Sequence, residues 1–337
     1  MSNDLLFIAG EALFHVSKQN GEWSLKERKA PYSFYCIAAD PIKGRIYGGT
    51  FDNGLYISDD SGKSWFPAGA GITNDRVLSV AVSPIEVKNG YHVVWAGTEP
   101  SGLFRSEDGG KTWEDCPTLL QLPSEPSWSF PPRPYTHHVR WIQPDLHEEN
   151  RIFVGIELGG VMKSEDKGKT WEDRKLGSQY DCHTLTMTKQ AKGRIYEAAG
   201  GGFAESRDGG ETWMTINDGL QPYTYLVSIA VDQGNPDTVI ASAAKSARTA
   251  YAPSRAHSVL VKKEGSGNWQ IIREGLPNPD GSPAFSLLSH DTMSGTFFAV
   301  NNTGIYCSTD SGVSWNALPV QWPDYLRDKR VRSIIAI

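Results

Sequence analysis

The chain has 337 residues, 39% apolar and 21% charged, with a formal net charge of −6 and 11 tryptophans. That composition excludes a disordered polymer and predicts a sizeable aromatic core. The acidic balance excludes a nucleic-acid partner, and without an apolar run of about 18 residues no membrane partner is expected.

Residues 5–28 read as a second, third and fourth strand, "LLFIAG", "ALFHVS" and "WSLKE", with no first strand before them. A weak turn, "VSKQNGEW", closes that unit at Trp23. A complete four-strand unit follows: "YCIAADP", "GRIYGGT", "GLYIS", then the turn "ISDDSGKSW" and a fourth strand starting at Trp65. The pattern repeats with "LSVAVSP", "VVWAGT" and "GLFRS" to Trp113, then with "HHVRWIQP", "RIFVGIE" and "GVMKS" to Trp171. "HTLTMT", "RIYEAAG" and "GFAES" lead to Trp213, and "LVSIAVD" and "TVIASAA" to the weak turn "KKEGSGNW" at Trp269. The last unit, "FSLLSHD", "GTFFAVN" and "GIYCS", closes at Trp315, and "VRSIIAI" then supplies a lone first strand.

Four short strands per unit, repeating every 40 to 60 residues or so, predict the blades of an all-β propeller. Seven tryptophans close seven blades, and residues 1–337 are expected to form one domain. The lone first strand at the C-terminus completes the N-terminal blade in a 3+1 closure that leaves no sheet edge.

The repeated Ser-x-Asp-x-Gly-x-Ser/Thr-Trp turn is architectural. Asp60 can accept from backbone N–H groups of its own turn, Gly62 can take a positive φ, and Trp65 can bury its ring between sheets. No turn Asp is therefore a site candidate. These five turns match the Asp-box, or bacterial neuraminidase repeat, and the chain resembles the sialidase-like propeller superfamily over nearly its whole length. That superfamily includes sialidases, xyloglucan-active glycoside hydrolases, sortilin-type receptors and a photosystem assembly factor. Sialidases are similar in their turns but six-bladed, with a Phe/Tyr-Arg-Ile-Pro segment that this chain lacks, so sialidase activity is not expected. In the resembling enzymes the active site lies on the face opposite the Asp-box turns.

Two insertions fall on that opposite face: "PTLLQLPSEPSWSFPPRPYT", residues 117–136, and "AAKSARTAYAPSRAHS", residues 243–258. Long loops in compact domains tend to carry function, and these two can cover the central mouth. Beneath them, His137 and His138 open one first strand and His183 opens the next. Aligning the units sets His183 opposite Cys36, Ser79, Ser228, Ser286 and Ser333. Glu157 ends a second strand where other blades have Thr50, Thr98 or Asn301, and His257 ends the second insertion.

Imidazoles and a carboxylate converging from different blades suit one divalent metal ion, with His138, His183, Glu157, His137 and His257 as candidate ligands. Without metal, His183, Glu157 and His138 form a candidate acid–base set. Arg140, Lys245, Arg248 and Arg255 are candidates for binding an anionic group, and Trp128 and Tyr251 for stacking on a ring. The basic run "LRDKRVR", residues 326–332, reads as a solvated loop, with contact to an anion as the alternative. Cys36, Cys116, Cys182 and Cys307 show no close spacing. They predict free thiols in a reducing, cytoplasmic setting, and Cys36 and Cys182 read as inert core residues.

Three functions fit. The first is a hydrolase or lyase acting on a small polar substrate, such as a sugar or a carboxylate, at the covered mouth. The second is a non-catalytic scaffold for a protein partner. The third is a glycoside hydrolase with paired carboxylates, drawn from Glu157, Asp181, Glu99 and Asp52.

Overall fold

The computed structural model describes residues 4–337. Seven antiparallel sheets form a ring, and the described residues hold one α-helix, of a single turn, at Ala247–Tyr251. The inner strands touch one another in cyclic order: Phe34–Asp40, Arg76–Lys88, Val139–Pro144, Cys182–Met187, Tyr225–Val231, Ser286–Ser289 and Val331–Ala336, which returns to the first. Val331–Ala336 pairs antiparallel with Leu5–Ala9, so the closing blade is built from both ends of the sequence, as the 3+1 pattern predicts. That blade is blade 1 below, and the others follow in chain order. Blade 4 keeps three full strands, and its fourth is a single bridge between Lys163 and Glu172.

Burial follows position along each blade. Second strands such as Ile152–Ile156 and Ile195–Ala199 are buried throughout because neighbouring sheets cover both faces, whereas the two-residue fourth strands Glu114–Asp115 and Met214–Thr215 are exposed. The apolar core therefore lies between blades: Phe203 of blade 5 meets Trp269 of blade 6 edge-on at 5.1 Å, and the Trp269 Nε1–H donates to Ile216 O at 2.9 Å. Gly219, at φ 91°, lies against the same tryptophan, where a Cβ would come within 2.3 Å of the Trp269 carbonyl.

The repeated turns bind themselves. Asp60 Oδ1 accepts from the Ser64 N–H at 2.8 Å and the Lys63 N–H at 3.0 Å, and Oδ2 accepts from Ser64 Oγ at 2.7 Å. The Ser64 hydroxyl and backbone lead the donors that hold the Asp60 carboxyl at about 2. Ser58 Oγ accepts from the Gly62 N–H at 2.9 Å, with Gly62 at φ 79°.

One feature of the inner strands is absent from the sequence pattern. In six of the seven, strand pairing slips by one residue near the start of the first strand, which leaves one residue unpaired. Those residues are Tyr35, Leu78, Arg140, His183, Val227 and Arg332, and all six line a central cavity of about 340 Å³. A bulge inserts an extra residue and re-aims its side chain. The register corrects the alignment drawn from sequence: Thr184, not His183, occupies the position of Cys36, Ser79 and Ser228, while His183 shares the bulge of Arg140 and Tyr35.

Candidate functional site

Each first strand starts at the mouth, so a bulge in its first residues delivers side chains there. Arg140 and His183 occupy the bulges of blades 4 and 5. Glu157 follows the second strand of blade 4, and its Oε2 lies 3.1 Å from His138 Nε2 and 3.5 Å from Arg140 Nε. Burial pushes the Glu157 carboxyl up, but the Arg140 charge and His138 outweigh it and hold the group at about 2. Arg140 is correspondingly raised above the usual arginine range, and its Nη1 donates to Tyr35 Oη at 3.3 Å.

His183 is fully buried. Its Nδ1 lies 2.6 Å from Leu226 O in the next blade, and a carbonyl at that distance requires an N–H on Nδ1. In the neutral ring the Nε2 lone pair is then free; it has no hydrogen-bond partner and lies 3.5 Å from Asp181 Oδ1. Potential ligand atoms of Glu157, Asp181 and His183 all lie within 4.8 Å of one another. Two carboxylates and an imidazole lone pair form a set of acceptors with no donor among them, which suits a divalent cation.

The insertions pack over this cluster. Arg133, in residues 117–136, binds both oxygens of buried Glu99 and sits between the rings of Phe51 and Phe130. Phe130 meets the His138 ring edge-on at 4.7 Å. In the second insertion the helix Ala247–Tyr251 starts with a capping box between Ser246 and Thr249. Its Tyr251 meets Tyr225 edge-on at 5.9 Å, and Tyr225 in turn tilts over His183 at 4.8 Å.

The structure therefore gathers His138, Arg140, Glu157 and His183, and adds Asp181. It sends other candidates elsewhere. His137 is 2.8 Å from Ser101 Oγ through Nδ1 and 3.2 Å from Glu125 through Nε2, which leaves no lone pair for a metal. His257 is held between Asp280 at 2.6 Å and Tyr223 Oη at 3.0 Å. Trp128 is buried in the blade 3–4 core, with Nε1–H donating to Ser124 Oγ at 2.8 Å, so it anchors its loop. One face of Tyr251 is taken by the Arg330 guanidinium, 3.8 Å from the ring centroid. Lys245, Arg248 and Arg255 are exposed on the second insertion, with Lys245 over the Tyr223 ring. Asp52 pairs with Arg76. The basic run also departs from its solvated reading, because Arg330 and Arg332 line the cavity.

All four cysteines are free, and burial drives the Cys36 thiol to about 12 and Cys182 well above its usual range, as expected of inert thiols. Sequence reasoning missed Glu197, fully buried in blade 5, where burial lifts its carboxyl to about 8. Its Oε2 accepts from the Gln179 N–H at 2.9 Å and its Oε1 has no partner. The only signal was a glutamate inside the otherwise small or apolar run "RIYEAAG".

No protein-family model matches the chain, and no curated protein matches it. Solved structures do. An ancestral GH74 enzyme is similar with a TM-score of 0.63 at 18% identity, over 81% of this chain, and the chain spans only 36% of that protein. YCF48 bound to D1 peptide is similar with a TM-score of 0.56 at 16% identity, over 84% of this chain and 81% of that one. U3-55K follows with 0.59 at 12% identity, over 87% and 83%. At such identities the likeness shows the fold: a seven-bladed β-propeller.

Proposed function

We propose that the protein is a hydrolase or lyase for a small polar substrate, assisted by a divalent cation held by Glu157, Asp181 and His183. The observation that carries this reading is the buried, unpartnered His183 Nε2 facing two carboxylates. Bound there, a divalent ion supplies Lewis-acid polarisation of a carbonyl or activation of a water. The chain's own residues prepare the site. Leu226 O fixes the His183 tautomer, while Arg140 and His138 keep Glu157 ionised and in place. A cavity of about 340 Å³ suits a molecule the size of a monosaccharide.

The carboxylate pair by itself suits glycoside hydrolysis less well. Glu157 and Asp181 are close enough for a retaining pair, but general acid catalysis needs a carboxyl that keeps its proton near neutral pH. Glu157, at about 2, is ionised there.

Calorimetric titration of chelator-stripped protein with Mn²⁺ and Zn²⁺ is the test. One-to-one binding that Asp181→Asn and His183→Ala each weaken by at least about tenfold supports the site. Turnover on a panel of sugar lactones, esters and aryl glycosides should then depend on the added ion. Absence of binding, or turnover indifferent to chelator, would overturn the metal-assisted reading.

A further inference from the structure

We infer that Arg330 and Arg332 form an oxyanion-binding subsite at the mouth of the central cavity, suited best to a phosphomonoester group on the substrate. The subsite deepens the reading above and rests on its premise that the cavity takes a substrate, but not on the metal.

The local fold explains the placement. Val331 is buried in the core of blade 1, and the residues on either side of it, Arg330 and Arg332, both line the cavity. The Gly10 N–H donates to Arg330 O at 3.0 Å and ties the start of this strand down. Arg332 is then the bulge residue, equivalent to Arg140 and His183 in their own blades.

Neither guanidinium has a carboxylate within ion-pair distance among the described residues, in contrast to Arg140 with Glu157. Instead both rest on aromatic rings. Arg330 lies 3.8 Å from the Tyr251 centroid, and Arg332 lies 5.3 Å from the Tyr35 centroid. Tyr35 also bridges to the catalytic side, because its Oη accepts from Arg140 Nη1 at 3.3 Å. Arg332 is exposed at the cavity mouth; the protein around it desolvates its guanidinium in part and, with the neighbouring Arg330 charge, depresses its pKa, opposed by Tyr35 and Glu11. Two like charges close enough to repel, with no counter-ion, favour an anion that reaches both, and planar guanidinium forks match phosphate oxygens. A phosphomonoester near neutral pH carries close to two negative charges, which would neutralise the pair.

Titration of metal-free protein in chelator, at low ionic strength, separates this subsite from the metal site. The probes are inorganic phosphate, glucose 6-phosphate, glucuronate and glucose. Binding of phosphate and glucose 6-phosphate, weaker binding of glucuronate and none of glucose is expected. Arg330→Gln/Arg332→Gln should weaken glucose 6-phosphate by at least about tenfold, and Arg332→Lys by less, since it keeps charge but loses the fork. On the unaltered protein, phosphate should protect Arg330 and Arg332 from phenylglyoxal while Arg248 and Arg255 stay reactive, as read by peptide mass spectrometry. The subsite is overturned if no anionic probe binds at about 10 mM, which is weaker than the millimolar range of a minimal specific site. It is equally overturned if the double variant binds as well as its parent, or if phosphate fails to protect the two arginines. Loss of Mn²⁺ binding with phosphate binding intact would refute the metal reading alone.

Discussion

Glu157 stands just past the second strand of blade 4 and Glu197 within the second strand of blade 5; both are largely out of water, and they end up in opposite protonation states. Glu157 is held at about 2 and Glu197 is lifted to about 8. Burial pushes both carboxyls up. The difference is a cation: Arg140 and His138 face Glu157, whereas Glu197 has a backbone N–H from Gln179, the Cys182 thiol and the repulsive charge of Asp181. A buried charge on or beside a second strand is kept by a partner brought from elsewhere in the chain, as Arg45 is by Asp59 and Glu157 by Arg140.

Replacing Arg140 with Met should break this comparison with the largest loss of stability. It leaves Glu157 desolvated without its countercharge and should cost about 3 kcal/mol of unfolding free energy at neutral pH. The parent's Glu157, with a depressed pKa, contributes stability that is present above the ordinary carboxylate range and is lost as pH falls towards about 2. The gap between parent and variant in urea melts should therefore narrow from pH 7 to pH 3; a constant gap would mean that Arg140 acts through packing alone.

Glu197→Gln should show the reverse trend. A carboxyl raised to about 8 when folded binds its proton more tightly than in the unfolded chain, so it lowers stability progressively from the ordinary carboxylate pKa up to about 8. Removing it should leave the variant close to its parent near pH 4 and more stable by about 4 kcal/mol near pH 8. If the two melting curves stay parallel across that range, Glu197 is not the neutral acid described here.

The smallest effect belongs to the opposite face. Asp208 accepts from the Thr212 N–H, Thr212 Oγ1 and Ser206 Oγ within its own turn. Asp208→Ala should cost about 1 kcal/mol with Mn²⁺ and phosphate binding unchanged. A change in either binding would tie the repeated turns to the mouth, contrary to their closed local bonding.

The blades were legible because their cause is local. The turn's Asp, Gly and Trp interact within a few residues, as Asp60 does with Lys63 and Ser64, and spacing alone then counts the sheets and separates the two faces. Glu157, His138, Arg140 and His183 were legible as a group because they all stand at strand ends on one face. Which of them share a ligand was not. Asp181 enters the cluster, and His137 leaves it for Ser101 and Glu125, through contacts that cross blades.

The bulges were equally hidden. A one-residue slip in pairing depends on what the neighbouring strand can hydrogen-bond, and a linear pattern of small and apolar residues reads the same with or without it. Arg330 and Arg332 looked like part of a solvated run for that reason, until closure of the ring carried the last strand to the axis. What the sequence determined by itself is the repeat, the closure of its ends and the face that bears the loops. Tertiary structure decided every charge at the mouth, because a buried group's ionisation depends on partners brought from other blades, at distances that no local motif encodes.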